Sequence, residues 1–279
     1  MGIVTAVQKQ MRRGVPSPPP EVLRDDHRFA AWAADTAGRV LLDLRDSMPS
    51  GRELKDAGDL ASHELLMELF ARYAPEDAVL SEEEHRGTAG RHDRHTARRV
   101  WIIDPVDGTR EYSEPPREDW AVHVALWQDG ELAAGAVCQP ALGRTFRTGT
   151  APVLPEPTAT RPRIAVSRSR PPAFVEGLAA GLDADLAPMG SAGVKVISVV
   201  RGITDAYVHA GGQYEWDSAA PVAVARSAGL FTSRIDGTPL AYNQPDVLLP
   251  DLLVCRPELA APILDHLTTH PIDNEEKSS

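Results

Sequence analysis

Carboxylates stand at the ends of several predicted elements of this sequence. They come from four separate segments, namely Asp59, the run Glu82–Glu84, the pair Asp104 and Asp107, and Asp217. Carboxylate oxygens are hard ligands of the kind that Mg²⁺ prefers, and bound Mg²⁺ commonly shares its coordination shell with a substrate phosphate. If the four segments meet in the folded chain, they would form a divalent-cation site suited to phosphate chemistry.

The stretch Trp101–Tyr112, with the sequence WIIDPVDGTREY, concentrates this chemistry. Its apolar run predicts a buried strand that ends on Asp104, and the tight turn that follows could direct two carboxylates and a main-chain carbonyl toward one point. Two cations about 4 Å apart at that point could hold an attacking water and a leaving oxygen. Gly108 and Thr109, before a predicted helix, would offer N–H groups and a hydroxyl to the anion.

Each acidic segment also has an ordinary structural explanation. Asp59 and Asp217 could be helix N-caps, because their carboxylates accept hydrogen bonds from the first turn. The run SEEE could be a solvated turn, and DPVDG consists of residues that turns prefer. The histidines of loop 85–98 raise a zinc alternative, which is weaker because exposed loop histidines are usually solvated. The combination of four segments favours a shared cation site.

The elements that must position these acids follow from hydrophobic periodicity. In the first half, the pattern predicts helices over 21–47 and 58–73, strands at 78–80 and 100–104, a hairpin over 120–140 that turns at Asp129-Gly130, and a strand at 143–148. In the second half it predicts strands at 163–167, 186–190, 205–210, 229–233 and 247–257, alternating with helices over 172–182, 192–203, 217–228 and 257–268. An antiparallel sheet followed by a mixed one predicts a layered α+β/α/β architecture.

Composition shifts divide the chain. The proline-rich residues 1–20 predict a flexible leader, residues 21–150 an N-terminal α+β subdomain with the metal site, residues 151–270 a C-terminal α/β subdomain that completes the site, and residues 271–279 a charged tail. The junction near 150–161 is rich in proline and threonine, which interrupt regular elements.

Overall composition limits the partners and the compartment. The chain has 279 residues, 42% of them hydrophobic, and a net charge of −11, which disfavours nucleic acid because binding would require a basic face. No apolar run approaches the roughly 20 residues of a membrane span. The two cysteines, Cys138 and Cys255, lack metal-binding spacing and suggest no disulfide framework. We therefore expect a cytoplasmic protein without membrane contact.

Three ordered motifs carry a family resemblance. WIIDPVDGTREY resembles the D-P-x-D-G-T signature of the Mg²⁺-dependent, lithium-sensitive phosphatases of the inositol monophosphatase family. LSEEE resembles its upstream glutamate box, and EWDSAAPVAVARSAGL resembles its W-D-x-A-A box, with Leu230 in place of the second glycine. The resemblance covers about residues 24–268 and implies the layered αβαβα sugar-phosphatase fold. Within the family, the chain looks most like the bacterial 3'(2'),5'-bisphosphate nucleotidases, especially the actinobacterial branch.

The resemblance implies two or three Mg²⁺ ions. It assigns the first to Glu82, Asp104 and the Val106 carbonyl, the second to Asp104, Asp107 and Asp217, and a looser third to Asp59, which would otherwise align the attacking water. Thr109, with Asp59 or Glu82, would orient and deprotonate that water. The implied reaction is direct in-line attack by metal-activated water, without a covalent phosphoenzyme.

Substrate contacts are also implied by the resemblance. The N–H groups of Gly108 and Thr109 would hold the phosphate with help from Arg110, the loop at Gly190 and Ser191 would approach a sugar hydroxyl, and Arg168 would meet a second phosphate. Arg168 could equally belong to a surface turn, and Lys195 could bind the second phosphate or cover a helix face. Inositol-selective relatives carry an acid seven residues before the last metal ligand, where this chain has Ala210.

These features favour 3'-phosphoadenosine 5'-phosphate as substrate, with hydrolysis to AMP and phosphate in sulfate assimilation. The alternatives are a phosphatase for inositol-1-phosphate, fructose-1,6-bisphosphate or sugar phosphates in general, and a non-catalytic regulator that binds a nucleotide or Mg²⁺. The partner is then a small phosphate ester, and the resemblance implies a homodimer.

Overall fold

The structure is a computed structural model and describes residues 16–83, 93–150, 152–157, 159–169 and 171–272. Most of the predicted leader and of the predicted tail lie outside these residues. So do Glu84 and most of the loop 85–98. The structural statements below refer to the described residues.

Two long helices precede the first sheet. The elements of this half are α1 (Asp26–Ser47), α2 (Arg52–Tyr73), β1 (Ala78–Ser81), β2 (Arg99–Asp107), α3 (Thr109–Tyr112), β3 (Ala121–Gln128), β4 (Glu131–Gln139) and β5 (Arg144–Arg147). The predicted hairpin is confirmed, because Asp129 and Gly130 join β3 to β4 with φ angles of 50° and 101°. Two positive φ angles in succession give the turn that matches the twist of a hairpin.

The first sheet has the strand order β1-β2-β3-β4-β5. We predicted an antiparallel sheet, and this is wrong for one pair, since β1 runs parallel to β2, with Ala78 opposite Val100. The remaining neighbours are antiparallel. A parallel pair needs a long connection, and residues 82–98 supply one.

The second half alternates strands and helices, as predicted. Its elements are β6 (Arg163–Ser167), α4 (Phe174–Gly181), β7 (Asp185–Met189), α5 (Ala192–Val200), β8 (Ala206–Tyr214), α6 (Glu215–Ser227), β9 (Phe231–Ser233), β10 (Leu248–Cys255) and α7 (Pro257–Thr269). The second sheet has the order β7-β6-β8-β10-β9. It is mixed, because β6 runs parallel to β7 and β8, whereas β10 runs antiparallel to β8 and β9.

The helices and the two sheets stack in five layers. Helices α1 and α2 pack on one face of the first sheet, α5 and α6 fill the space between the sheets, and α4 and α7 cover the outer face of the second sheet. Each layer buries its apolar side chains against the next, which is how sheets and amphipathic helices form a core. The arrangement confirms the predicted αβαβα fold.

Helix α2 begins earlier than predicted. It starts at Arg52, so Asp59 lies within the helix, and the predicted N-cap alternative for Asp59 is wrong. The first turn is polar apart from Leu54, and Gly51 caps it without a side-chain hydrogen bond. Hydrophobic periodicity therefore becomes visible only one turn later.

The end of β2 also differs from prediction. The strand continues through Asp104 to Asp107, with a register shift between the two acids, so the segment is a bulged strand rather than a turn after the strand. Pro105 lacks the N–H that a regular ladder would use. Its carbonyl accepts a hydrogen bond from Ser62 Oγ at 2.7 Å, and the Val106 N–H donates to Asp104 Oδ1 at 3.0 Å.

Candidate metal centre and phosphate pocket

The bulge in β2 brings its two acids together with an acid from the second half of the chain. Oxygens of Asp104, Asp107 and Asp217 all lie within 4.8 Å of one another. Asp104 and Asp107 are buried, with exposed fractions of 1% and 6%. Three carboxylates this close repel one another strongly, and a divalent cation with hard oxygen ligands would compensate that charge. The donor set therefore fits Mg²⁺.

Asp107 is held from the start of α5. Ser191 Oγ donates to Asp107 Oδ2, the Ala192 N–H donates to Oδ1 at 3.1 Å, and the Gly193 N–H donates to Oδ2 at 2.6 Å. Ser191 is also the N-cap of α5, accepting from the Val194 N–H at 2.9 Å. The helix N-terminus thus fixes the carboxylate that the first sheet supplies.

Asp217 lies at the third position of α6, not at the first as predicted. Its Oδ2 accepts a hydrogen bond from the Tyr214 N–H at 2.7 Å, which completes a capping box. The predicted N-cap alternative for Asp217 is therefore wrong, because Tyr214 is the N-cap, but the Asp217 carboxylate still binds the N-cap N–H and also lies beside Asp104 and Asp107.

The three acids have different pKa values. Burial, followed by the charges of Glu82, Asp107 and Asp217, raises the pKa of Asp104 well above its usual range. Burial, followed by the charge of Asp107, raises the pKa of Asp217 to about 7. The hydrogen bond from the Tyr214 N–H acts in the opposite direction. Burial would also raise the pKa of Asp107, but its contact with His123 and the hydrogen bonds from α5 lower it to about 2. Asp107 is stabilised as an anion, whereas burial and like charge destabilise the anionic forms of its two neighbours.

Glu82 and Asp59 approach this cluster from other elements. Glu82 directly follows β1, and its charge contributes to the raised pKa values of both Asp104 and Asp217. Asp59 is half-buried on α2, close enough for its charge to act on Tyr112 of α3. The assigned roles of both acids, and of the Val106 carbonyl, stay predictions.

Helices α2 and α3 are packed closely where Asp59 and Thr109 lie. A Cβ added to Gly58 would come within 2.3 Å of the Tyr112 ring. Gly108 has a φ of +82° as the N-cap of α3, a conformation that favours glycine. Thr109 follows it half-buried, and Arg110 is exposed.

A cavity of about 380 Å³ opens beside the acids. Asp107, Gly108, Ser191 and Asp217 line it, together with Lys195, Tyr207, His209 and Gln213. The ammonium of Lys195 donates to the Ser191 carbonyl at 2.7 Å and lies 5.3 Å from the centre of the Tyr207 ring. Burial lowers the pKa of Lys195, although four nearby acids oppose this.

Sequence reasoning missed the wall of this cavity that β8 forms. Tyr207 and His209 share one face of β8, because residues two apart in a strand point to the same side, and Gln213 reaches the same cavity after the register shift that separates it from Ala210. Gln213 Nε2 donates to the Tyr207 hydroxyl at 2.8 Å. Burial lowers the pKa of His209 to about 4. The alternation in AYVHAGGQY was the available signal.

Arg168 and Gly190 lie at the rim of the site, bound to acids of the chain. Arg168 Nη2 donates to Glu111 Oε1 at 2.7 Å and lies 3.3 Å from Glu114 Oε2. The Gly190 N–H donates to Asp119 Oδ2 at 2.6 Å, so it is not directed at a ligand. Contacts of Arg110, Arg168, Gly190 and Ser191 with substrate stay predictions.

Comparison with known proteins agrees with this geometry. The profile of the "Inositol monophosphatase family" matches residues 29–270. The chain is 46% identical over 253 residues to the "3'-phosphoadenosine 5'-phosphate phosphatase" of Mycobacterium leprae, covering 86% of this chain and 92% of that protein. It is 31% identical over 197 residues to the "3'(2'),5'-bisphosphate nucleotidase CysQ" of Shigella flexneri, covering 67% and 78% of the two chains.

A solved structure has the same fold. The crystal structure of CysQ from Bacteroides thetaiotaomicron, a bacterial member of the inositol monophosphatase family, superposes with a TM-score of 0.69 at 25% identity. The match covers 82% of this chain and 96% of that one. No described helix has the length and apolar character needed to cross a bilayer.

Proposed function

The chain belongs to the inositol monophosphatase family, and we propose that it is a phosphomonoesterase that hydrolyses 3'-phosphoadenosine 5'-phosphate to AMP and phosphate. The observation that best supports this substrate is the 46% identity, over 86% of the chain, to a protein named "3'-phosphoadenosine 5'-phosphate phosphatase". The cluster of Asp104, Asp107 and Asp217 beside a cavity supports the reaction class, since metal-assisted phosphate release needs both features.

The acids would hold two or three Mg²⁺ ions. Glu82, Asp104 and the Val106 carbonyl would bind the first, Asp104, Asp107 and Asp217 the second, and Asp59 the looser third. Bound Mg²⁺ supplies Lewis-acid stabilisation of the charge that develops on the transferred phosphoryl group. Asp104 and Asp217 must be ionised to bind, although their raised pKa values favour protonation in the free protein.

The remaining chemistry belongs to groups of α2, of the residue that follows β1, and of the start of α3. Thr109 would accept a hydrogen bond from the attacking water and pass its proton toward Asp59 or Glu82. The N–H groups of Gly108 and Thr109 would orient the phosphate, because they stand at the start of α3. No nucleophilic residue is required, and Cys138 and Cys255 are buried thiols whose pKa values burial raises to about 12.

The cavity can accommodate a nucleotide. Its volume of about 380 Å³ lies within the usual range for small-molecule sites. Tyr207 and His209 offer aromatic surface, Lys195 offers an ammonium, and Arg168 at the rim offers a guanidinium for the second phosphate. The cysteines are free, which suits the reducing cytoplasm that we propose as its compartment. We further propose a homodimer with no nucleic-acid partner, in keeping with the net charge of −11.

The decisive experiment is a phosphate-release panel. It compares 3'-phosphoadenosine 5'-phosphate with inositol-1-phosphate and fructose-1,6-bisphosphate, each with Mg²⁺, with EDTA and with Li⁺. We expect the nucleotide to turn over fastest, only with Mg²⁺, and Li⁺ to inhibit. Faster turnover of either other substrate would favour the broad sugar-phosphatase alternative. Binding of the nucleotide without phosphate release would favour the regulator.

The Asp104→Asn variant tests the shared metal ligand in the same assay. It removes one charge from a site proposed to hold both ions, so we expect kcat to fall by about 10³ or more, because loss of one neutral donor already costs about 10²–10³. Asp183→Asn is the control, since Asp183 is 85% exposed. Retained activity in Asp104→Asn would refute the two-metal assignment.

A further inference from the structure

A second concavity lies away from the acidic cluster. It has a volume of about 610 Å³, larger than the 380 Å³ of the cavity beside the acids, which we call the phosphate pocket. Its walls are β5, the end of α5 with the turn that follows it, and the residues Thr150, Pro152, Val153 and Pro155. Helix α5 separates the two concavities, because its N-terminus binds Asp107 and its last residue, Val200, lines the second one. Nine residues of helix span about 14 Å.

The second concavity is basic. Arg144, Arg147 and Arg201 line it, and no acid is among its lining residues in the described part of the chain. Within that part, none of the three guanidinium groups lies within ion-pair distance of a carboxylate. In a chain with a net charge of −11, three unpaired arginines in one groove form a distinct positive site.

The three guanidinium groups are positioned to bind an anion. Arg144 stacks over the Phe146 ring at 4.9 Å, which leaves its N–H edge for a ligand. Arg147 is oriented by hydrogen bonds to the Thr148 carbonyl at 3.1 Å and to Thr150 Oγ1 at 2.9 Å, which use two of its five donors. Planar guanidinium forks match the geometry of phosphate oxygens.

Arg201 completes the site at the end of α5. Burial and the positive charge of Arg144 lower the pKa of Arg201, while the charge of Glu118 opposes them. Arg144 and Arg201 both line the groove, so an anion bound beside them would offset the repulsion between their like charges. Val153 and Ile203, with exposed fractions of 89% and 39%, add apolar surface beside the cations.

We propose that this groove, lined by Arg144, Arg147 and Arg201, is a second ligand site that binds a small phosphate-bearing molecule of mononucleotide size. The volume falls within the range of small-molecule sites, the arginines would hold the phosphate, and Val153 and Ile203 would contact the apolar part of the ligand. The site is independent of the proposed reaction, since it shares no lining residue with the phosphate pocket.

Amide hydrogen exchange on the full chain with Mg²⁺ tests the proposal, with AMP as probe and adenosine as the control without phosphate. We expect AMP, and not adenosine, to slow exchange in 144–150 and 198–204. The double variant Arg144→Gln/Arg201→Gln should weaken that protection at least 10-fold in AMP concentration and leave any protection at 104–109 unchanged. Arg28→Gln/Arg52→Gln removes the same charge from exposed arginines and should behave as the parent.

Four results would overturn the proposal. One is no protection of these segments at millimolar AMP. The second is equal protection by adenosine, and the third is protection by AMP that survives in Arg144→Gln/Arg201→Gln. The fourth is protection that needs no AMP and increases with protein concentration. The groove would then be an interface between copies of the chain, formed beside the edge strand β5.

Discussion

The imidazole of His123 lies against the carboxylate of Asp107, with 3.2 Å between His123 Nε2 and Asp107 Oδ2. This is a contact at ion-pair distance that lacks hydrogen-bond alignment. The other ring nitrogen, Nδ1, lies 3.1 Å from the Trp216 carbonyl and must carry a proton, since a carbonyl only accepts. His123 is fully buried, and its contact with Trp216 connects β3 to the residue that precedes Asp217. Two proposed metal ligands from opposite halves of the chain are thereby linked.

Replacing His123 should loosen that link. His123→Leu keeps most of the side-chain volume but removes the hydrogen bond from His123 to the Trp216 carbonyl, which should cost about 0.5–1.5 kcal/mol of unfolding free energy. We also expect weaker Mg²⁺ binding, because Asp107 and Asp217 lose their connection. Urea denaturation and calorimetric Mg²⁺ titration measure the two effects. His95→Leu, at an exposed position, is the control, and equal stability of both variants would contradict the role of His123.

We expect any side chain at position 193 to destabilise the fold, because the space beside Gly193 is already occupied. A Cβ there would lie 2.0 Å from His123 Nε2 and 3.1 Å from Asp107 Oδ2, so Gly193→Ala must displace His123 and would crowd Asp107. We expect a loss of about 1–3 kcal/mol, the usual cost of overpacking a core, together with lower activity. Gly177→Ala is the matched control, because Gly177 lies within α4 with no atom near its added Cβ. That variant should gain up to about 1 kcal/mol. Thermal unfolding that ranks the two in the opposite order would contradict this account.

The sequence contained enough information for the fold and for the acidic cluster. Hydrophobic periodicity located the helices and strands, and acids at element ends pointed to one site. The parallel pairing of β1 with β2 was not predictable from periodicity, because strand direction depends on the path of residues 82–98. The bulge between Asp104 and Asp107 was likewise hidden, since a proline signals a turn and a strand irregularity equally.

Contacts between residues distant in sequence could not be predicted. Arg168 meets Glu111 across 57 positions, and His123 meets Trp216 across 93. Side chains of this kind carry no local pattern, because their partners depend on how the two sheets stack. The cavity wall at Tyr207 and His209 was more accessible, since strand alternation already places both residues on one face.

The raised pKa of Asp217 predicts how the stability of the metal-free protein depends on pH. The folded-state pKa of about 7 exceeds the value near 4 of an unfolded aspartate, so the folded state binds the proton more tightly. The unfolding free energy should therefore fall as pH rises from about 4 to 7. Asp217→Asn should reduce this slope, and in EDTA at pH 7.5 it should be more stable than the parent, by on the order of 1 kcal/mol after allowance for solvent screening.

Saturating Mg²⁺ should reverse that order, because ligand binding to the folded state stabilises the parent and the variant loses a ligand. Urea denaturation between pH 5 and 8, with EDTA and with Mg²⁺, measures both effects. Asp183→Asn serves as the exposed control. An unchanged pH slope in metal-free Asp217→Asn would show that the carboxylate carries no raised pKa.

Arg168 should distinguish substrates that carry one phosphate from those that carry two. Its guanidinium is held at the rim by Glu111 and Glu114, where its remaining N–H groups can meet the second phosphate. A hydrogen bond to a charged group contributes about 1.5–3 kcal/mol. Arg168→Gln should therefore raise KM for 3'-phosphoadenosine 5'-phosphate by about 10–100-fold, with a smaller change in kcat. KM for inositol-1-phosphate should stay within about 3-fold of the parent.

The matched control for this variant is Arg161→Gln, because Arg161 is a partly exposed arginine paired with Asp183 and Asp185. It should leave both KM values unchanged. Glu111→Gln is a further variant, because it weakens the ion pair that positions Arg168 without removing the guanidinium. It should raise KM for the nucleotide less than Arg168→Gln does. If Arg168→Gln lowered kcat equally for both substrates with KM unchanged, Arg168 would act by positioning Glu111 and α3, and the second phosphate would be bound elsewhere in the pocket.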